Sequence, residues 1–224
     1  MAYVKTQKII DEAVKKRLVS DVPLGLFLSG GLDSTIIAES ASRQNPGIEA
    51  FTLGFEDNSY DETEKARKIA KALGIKHHVE ILSEKKALDM LDESINLLDE
   101  PLADPAVLPQ LLLSQFTKKH VTVALSGDGG DELLLGYQHI KAHIWVEKLS
   151  FLPKNILNLT ADILKKIPSG SEYFSFGFKS QRLSRGLSIE NRFERDLAWR
   201  GAFDKKGLKK LLRKELAESL NPEE

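Results

Sequence analysis

Residues 24–35 read LGLFLSGGLDST, and the rest of the chain is best interpreted around this stretch. It begins as a short apolar run, passes through two adjacent glycines and an acid, and continues into a helical-looking segment, which indicates strand, tight turn and helix. Such a turn leaves backbone N–H groups pointing outward at a helix N-terminus, where they attract anions. The alternative is an ordinary strand-to-helix turn capped by Asp33 or Ser34. The demanding pattern SGGLDS directly after an apolar strand favours a phosphate site.

The residues of this loop suit a phosphate and its counter-cation. Gly30 and Gly31 let the backbone approach a phosphate without a Cβ in the way, the hydroxyl of Ser29 can donate a hydrogen bond, and Asp33 can hold a cation. A Walker motif would need a lysine and a hydroxyl directly after its last glycine, and Leu32 and Asp33 stand there instead. The stretch resembles the pyrophosphate loop of the ATP pyrophosphatases, which implies binding of ATP and attack of a substrate oxygen on its α-phosphorus.

Composition limits the classes of protein that fit. With 224 residues, of which 42% are hydrophobic and 29% charged, the chain is long enough for one large domain or one and a half. Its net charge of −1 creates no general attraction for nucleic acid or a membrane, and the lack of cysteine excludes disulfides and thiol nucleophiles. No apolar run approaches the roughly 20 residues that span a bilayer, and no signal peptide is visible. We therefore predict a cytoplasmic enzyme or binding domain.

Apolar periodicity predicts strands that alternate with helices. Strands are predicted in the apolar start of the opening stretch and at 48–55, 76–82 and 121–125. Helices are predicted at 4–19, 34–43, 61–74, 83–98 and 107–119. This alternation indicates an α/β fold, with a parallel sheet covered by helices on both faces and a mainly helical portion after it. We divide the chain into an N-terminal helix (1–19), an α/β core (20–138) and a helical portion (139–224).

A second glycine loop, residues 125–132, reads LSGDGGDE. Three glycines and three acids in eight residues would be unfavourable without a cation, so this loop suggests magnesium and a second, cationic or nucleophilic substrate. Alone, it could be a flexible acidic turn in which Asp131 caps the next helix. Because both loops follow strands of the predicted parallel sheet, they fall at its carboxyl edge and are expected to form one site.

Three spaced motifs resemble the synthetase domain of glutamine-dependent asparagine synthetases. They are residues 29–34 (SGGLDS), 100–101 with 103–106 (EP and ADPA), and 126–132 (SGDGGDE) followed by 136–137 (GY). The resemblance covers about residues 20–137 and implies an adenine nucleotide α-hydrolase-like fold. β-Lactam synthetases and amidotransferases of surface-sugar pathways look similar, so another acceptor carboxylate stays open.

The resemblance implies a set of ATP-binding residues in the two loops and the strands beside them. The backbone of Leu28 and the residue Leu53 would flank the adenine. The full ATP-binding set is Leu28, Ser29, Gly30, Gly31, Asp33, Ser34, Leu53, Ser126 and Gly127.

The resemblance also implies roles for the acids of both loops. Asp33 and Asp131 would bind magnesium, and the catalytic acids would be Asp128 and Glu132. Asparagine synthetases usually carry Glu at the position of Asp128, which is tied to the amide-forming step. Asp is one methylene shorter, and we expect it to transfer a proton or to orient ammonia.

The implied activity is that of an ATP-dependent carbon–nitrogen ligase. The side-chain carboxylate of aspartate would be adenylated, with release of pyrophosphate, and ammonia from glutamine would then displace AMP to give asparagine. Magnesium and the loop N–H groups would stabilise the charge on the leaving pyrophosphate. The implied partners are ATP, aspartate and a glutaminase domain as ammonia source, with a homodimer possible and with neither nucleic acid nor membrane.

Two departures from this family lead us to interpret the chain as a truncated fragment. The glutaminase half with its N-terminal cysteine nucleophile is absent, and the family's late lysine motif has no evident match before Glu224. An ATP-binding fragment that truncation makes inactive is therefore one alternative. A tRNA-modifying pyrophosphatase is another, although the missing cysteines and RNA-binding appendage oppose it.

Histidines and a basic segment are weaker signals. His139 and His143 lie four residues apart on a predicted helix and could share a metal, but without adjoining acids we favour packed or solvated rings. We assign His77 and His78 to packing. The basic stretch 179–214 lacks the aromatic pattern of a nucleic-acid surface, so we favour a helical face toward the missing part or the phosphate site. A charged helix is predicted at 208–220, and the role of 151–188 is unassigned.

Overall fold

A computed structural model of the chain describes residues 2–57, 59, 61–100, 102, 104, 106–149, 151–170, 175–201 and 210–213. The chain divides into two compact units, Met1–Leu134 and Leu135–Glu224. Strands and helices alternate in the first unit, whereas the described part of the second is helical.

The first unit is built on a parallel sheet. Its strands are β1 (Leu24–Phe27), β2 (Glu49–Phe55), β3 (Lys76–Leu82) and β4 (Val123–Leu125). They pair in the order β3-β2-β1-β4, and every pair is parallel. The helices are α1 (Ala2–Arg17), α2 (Leu32–Gln44), α3 (Thr63–Leu73), α4 (Glu84–Asp89), α5 (Leu91–Asn96), α6 (Val107–Thr117) and α7 (Gly130–Leu134).

Side chains that alternate along β1 and β2 give the sheet two apolar faces. On one face, Leu26, Leu28 and Ala50 are buried against α1, α2 and α3. On the other, Leu53 and Phe55 pack with a cluster that includes residues of β3 and α6. Each fully buried leucine stabilises the fold by about 1.5–3 kcal/mol. Helices thus cover both faces, which confirms the predicted fold class.

The predicted bounds hold best where the apolar pattern ends at a strong turn signal. β3 occupies 76–82 as predicted, since Gly74 ends the preceding helix in a left-handed conformation. The helix predicted at 83–98 is instead two short helices, α4 and α5. Met90 separates them with ψ of −4°, far from the helical value, and its side chain is buried with Leu82 and Leu112. Burial of that one side chain is a tertiary effect that periodicity does not reveal.

The second unit contains α8 (Gln138–Lys148), α9 (Lys154–Lys165), α10 (Phe176–Ser184) and α11 (Arg192–Arg200). Its core is formed by Val146, Ala161, Leu187 and Trp199. A mainly helical C-terminal portion is therefore confirmed for the described residues. The helix predicted at 208–220 lies outside them apart from 210–213 and stays a prediction.

Among the described residues, no helix combines the length and apolar character that crossing a membrane requires. The cytoplasmic location stays a prediction.

Candidate active site

The first glycine loop joins β1 to α2 and is closed by its own serines. The hydroxyl oxygens of Ser29 and Ser34 lie 3.0 Å apart, and the N–H of Ser29 donates to Ser34 Oγ over 3.3 Å. The N–H of Gly31 donates to Ser29 Oγ over 3.2 Å. Besides their predicted contact with phosphate, the two hydroxyls therefore shape the loop itself.

Glycine is required at the tip of this loop. Gly30 has a φ of 81°, and a Cβ there would lie 2.8 Å from the Cβ of Lys65 at the start of α3. Gly31 follows as the N-cap of α2 and has no side chain with which to cap it. The first turn of this 13-residue helix thus begins at the loop with backbone N–H groups suited to an anion.

The second glycine loop follows β4 and packs directly on the first. A Cβ on Gly127 would lie 2.7 Å from the backbone nitrogen of Ser34, and one on Gly130 would lie 2.4 Å from Asp33 Cγ. Both distances are shorter than real Cβ contacts, so the missing side chains are what allow the loops to touch. β1 and β4 are neighbours in the sheet, and this adjacency brings the loops to the same edge.

The acids of the site lie on these two adjoining segments. Asp33 is in the first turn of α2, and Asp131 and Glu132 are in the first turn of α7. Asp131 directly follows Gly130, the residue that touches Asp33. Carboxylate oxygens on adjoining loops are the donors that magnesium prefers, so the residues fit the predicted ion. Their role as ligands stays a prediction.

Ser126 and Asp128 are linked to each other. The Ser126 hydroxyl donates to Asp128 Oδ2 over 2.8 Å, and the N–H of Asp128 donates back to Ser126 Oγ over 3.4 Å. Asp128 is exposed at the loop surface. The Ser126 hydroxyl thus orients the predicted catalytic acid, and the contact of Ser126 with ribose and α-phosphate stays a prediction.

Thr52 and His77 support the end of β1, where the first glycine loop begins. The sequence analysis assigns no role to Thr52. Thr52 Oγ1 donates to the carbonyl oxygen of Leu28 over 2.5 Å and lies 2.6 Å from His77 Nε2. Because the single hydroxyl proton is given to Leu28, the Nε2–H of His77 must donate to Thr52. Alternation along β2 and β3 places Thr52 and His77 on the same face of the sheet. Their contact also depends on how the two strands pair, which the sequence does not reveal.

Burial fixes the charge state of His77. It lowers the pKa of His77 below the ordinary value for histidine, and the nearby charges of Arg67 and His78 lower it further. The ring is therefore neutral at neutral pH, with its proton on Nε2.

Comparison with known proteins adds to this geometry. The model of the asparagine synthase family matches residues 5–222. The chain belongs to this family. It is 36% identical over 192 residues to a putative asparagine synthetase [glutamine-hydrolyzing] of Mycobacterium bovis, a match that covers 85% of this chain and 28% of that protein. It is 35% identical over 161 residues to asparagine synthetase [glutamine-hydrolyzing] 1 of Bacillus subtilis, covering 72% of this chain and 26% of that protein.

This member of the asparagine synthase family thus spans only about a quarter of the length of these relatives. Among solved structures, the NH3-dependent NAD synthetase of Campylobacter jejuni aligns at 18% identity with a TM-score of 0.43, covering 61% of each chain.

The middle motif of the asparagine synthase resemblance is described only in part. Residues 101, 103 and 105 lie outside the described residues. Asp104 Oδ1 accepts a hydrogen bond of 2.9 Å from the N–H of Ala106, a local turn that leads into α6.

Leu53 lies near the carboxyl end of β2, where its half-buried side chain joins the cluster of Leu82, Met90 and Leu112. Leu28 is tied to the same strand, because its N–H donates to Phe51 O over 2.9 Å. The two predicted adenine contacts therefore belong to adjacent strand ends, and their contact with adenine stays a prediction.

In the helical unit, His139 and His143 both face an acid that sequence reasoning did not foresee. His143 Nε2 lies 3.3 Å and His139 Nε2 3.8 Å from Asp196 Oδ1, and Arg200 also pairs with Asp196. His143 is buried edge-on against Trp199. The sequence favours packed or solvated rings, and here His143 is packed, but the acid that it faces comes from a helix more than 50 residues away along the chain.

Two arginines of the predicted basic stretch are engaged within this same unit. Arg195 is buried, with Nη2 donating to the carbonyl oxygen of Glu190 over 3.0 Å, and Arg200 is paired with Asp196. Both side chains therefore form contacts within the helical unit, and the absence of a nucleic-acid partner stays a prediction.

Proposed function

We propose that this chain is the synthetase portion of an enzyme that adenylates the side-chain carboxylate of aspartate with ATP and amidates it with ammonia from glutamine. The observation that carries the proposal is the direct contact of the two glycine loops, at Gly127 with Ser34 and at Gly130 with Asp33. Membership of the asparagine synthase family supports it, as do the similar asparagine synthetases of Mycobacterium bovis and Bacillus subtilis.

The first loop and the start of α2 would bind the β- and γ-phosphates of ATP. Backbone N–H groups at a helix N-terminus complement phosphate charge, and the positive φ of Gly30 keeps the loop free of side chains at its tip. The backbone of Leu28, held by Thr52, would meet the adenine together with Leu53. Ser126 and Gly127 would lie near the ribose and α-phosphate.

Asp33 and Asp131 would hold magnesium, which supplies charge neutralisation of the phosphate oxygens when bound. Without a cation, two carboxylates beside a phosphate site would repel each other and the phosphate. Binding of magnesium would relieve this repulsion. This donor set is consistent with a hard cation that keeps several waters.

The carboxylate of aspartate is a poor electrophile, so it must be activated before an amine can attack. Its oxygen would attack the α-phosphorus of ATP, forming a bond to phosphorus while the bond to pyrophosphate breaks. Ammonia would then attack the acyl carbon and displace AMP. Asp128, oriented by Ser126, would accept the proton that the attacking nitrogen loses. Glu132 would stand at the acidic end of the pocket.

Exchange of labelled pyrophosphate into ATP tests the proposal. We expect the 224-residue chain with magnesium to catalyse exchange that depends on aspartate. Asp33→Ala should abolish it, whereas Asp92→Ala, which removes an exposed acid from the first turn of α5, should leave it unchanged. Exchange that depends on a different carboxylate would contradict the choice of aspartate. A chain that binds ATP but exchanges with no acid would contradict adenylation by this portion.

A further inference from the structure

A cluster of three potential metal ligands lies away from the glycine loops. Glu49, His78 and His120 each offer one ligand atom, and these atoms all lie within 4.8 Å of one another. His78 Nε2 donates to Glu49 Oε2 over 2.7 Å. Among the residues that the structure describes, no other group of three His, Cys, Asp or Glu side chains brings its ligand atoms this close together.

The cluster joins three segments at the amino edge of the sheet. Glu49 is the first residue of β2, His78 is the third residue of β3, and His120 precedes β4. The glycine loops follow the opposite, carboxyl ends of the strands. The cluster is therefore separate from the proposed ATP site.

Aromatic packing orients both imidazole rings and holds that of His78 in place, whereas the exposed His120 keeps some freedom to move. Phe51, which is fully buried, stacks on His78 with ring centroids 5.0 Å apart and planes within 7° of parallel. His120 lies against both, at 4.4 Å from His78 and 5.5 Å from Phe51, and Phe116 of α6 packs edge-on against His120. Packed rings lose little further freedom when they bind an ion.

We propose that Glu49, His78 and His120 bind a divalent transition-metal ion, for which Zn²⁺ is the best match. Two imidazoles and one carboxylate form a three-ligand set that zinc accepts, with water in the fourth position. The ion would take the place of the proton that His78 now donates to Glu49, and the neutral ring would carry its proton on Nδ1 instead.

The geometry requires only small adjustments. Tetrahedral zinc places neighbouring ligand atoms roughly 3.3 Å apart, so the contact between Glu49 and His78 opens slightly. His120 can close the remaining distance because it is exposed at the surface. Lys76 Nζ lies 3.0 Å from the other oxygen, Glu49 Oε1, and would orient the carboxylate from outside while its charge moderates the affinity.

The role of such an ion is structural. It would connect β2, β3 and the segment between α6 and β4, and an ion that binds only the folded chain stabilises it. None of the three ligands takes part in the proposed reaction.

Calorimetric titration of the untagged 224-residue chain with Zn²⁺ tests the proposal. We expect one ion per chain and a higher melting temperature with zinc present. His120→Gln should weaken binding by at least about 100-fold, since even the loss of an outer-shell partner costs 10- to 100-fold. His120 is exposed, so this variant should fold. Glu49→Gln, which keeps a hydrogen-bond acceptor for His78, serves as a second variant and should weaken binding similarly.

His139→Gln is the matched control, because it removes a histidine next to the Asp196 group of the helical unit. It should bind zinc as the unaltered chain does. The proposal would be overturned if the unaltered chain binds no zinc. It would equally be overturned if His120→Gln and Glu49→Gln both retain full affinity, or if His139→Gln loses it.

Discussion

At the scale of single residues, the missing side chain of Gly127 allows the second loop to lie against the first. The position of its Cβ would be 2.7 Å from the backbone nitrogen of Ser34. If the neighbouring atom belonged to a side chain, that side chain could rotate away from the new Cβ. The backbone nitrogen of Ser34, at the start of α2, cannot do so. Any larger residue must therefore move one loop relative to the other.

We predict that Gly127→Ala destabilises the fold by ~1–3 kcal/mol, the usual cost of overpacking. It should also weaken ATP binding by about tenfold or more, which corresponds to ~1.4 kcal/mol. Urea unfolding and calorimetry measure the two effects. Gly47→Ala is the matched control, because its Cβ would meet only Asn45 Oδ1 at 3.7 Å and should change neither quantity.

The hydroxyl of Thr52 gives a second prediction at this scale. Thr52→Val keeps the shape but leaves the carbonyl of Leu28 and the Nε2–H of His77 without this partner, which should cost about 1–3 kcal/mol of unfolding free energy. Thr52→Ser keeps the hydroxyl and should recover most of the loss. Unchanged stability in Thr52→Val, or a loss in Thr52→Ser as large as that in Thr52→Val, would contradict the assignment to the hydrogen bonds.

At the scale of secondary-structure elements, Asp61 connects the end of β2 to the start of α3. Its Oδ1 accepts from the N–H groups of Phe55 and Thr63, both over 3.3 Å, and its Oδ2 accepts from the hydroxyl of Thr63 over 2.6 Å. Burial would raise the pKa of Asp61, but these hydrogen bonds outweigh it and the pKa is lowered from its ordinary 3.8.

The lowered pKa of Asp61 predicts a loss of stability in acid. A carboxyl group whose pKa is lower in the folded chain stabilises it above the unfolded value of 3.8, and this stabilisation is lost as the pH falls through the folded pKa. Asp61→Asn should cost about 1 kcal/mol at neutral pH and should flatten the dependence of unfolding free energy on pH below about pH 4. An unchanged acid slope in this variant would contradict the assignment.

Much of the element order could be predicted because the chain uses strong local signals. Gly74 ends α3 and the turn that follows sets the start of β3, so that strand was predicted at its observed bounds. The break at Met90 could not be predicted, because it depends on burial against residues of β3 and α6 that are distant in sequence.

At the scale of the whole molecule, topology explains why two distant loops could be expected at one edge. Parallel strands carry their loops to the same end, and β1 and β4 are neighbours. Contacts that depend on strand register or helix packing cannot be predicted from the sequence alone. The support of Leu28 by Thr52 and the approach of His143 to Asp196 are both of this kind.

Calorimetric titration of the 224-residue chain with ATP and magnesium tests the central claim that the two loops form one nucleotide site. We predict magnesium-dependent binding that Asp33→Ala weakens by at least about tenfold, or ~1.4 kcal/mol, and that the control Asp92→Ala leaves unchanged. Binding that is independent of magnesium and equally strong in Asp33→Ala, or no binding by the folded chain, would contradict the claim.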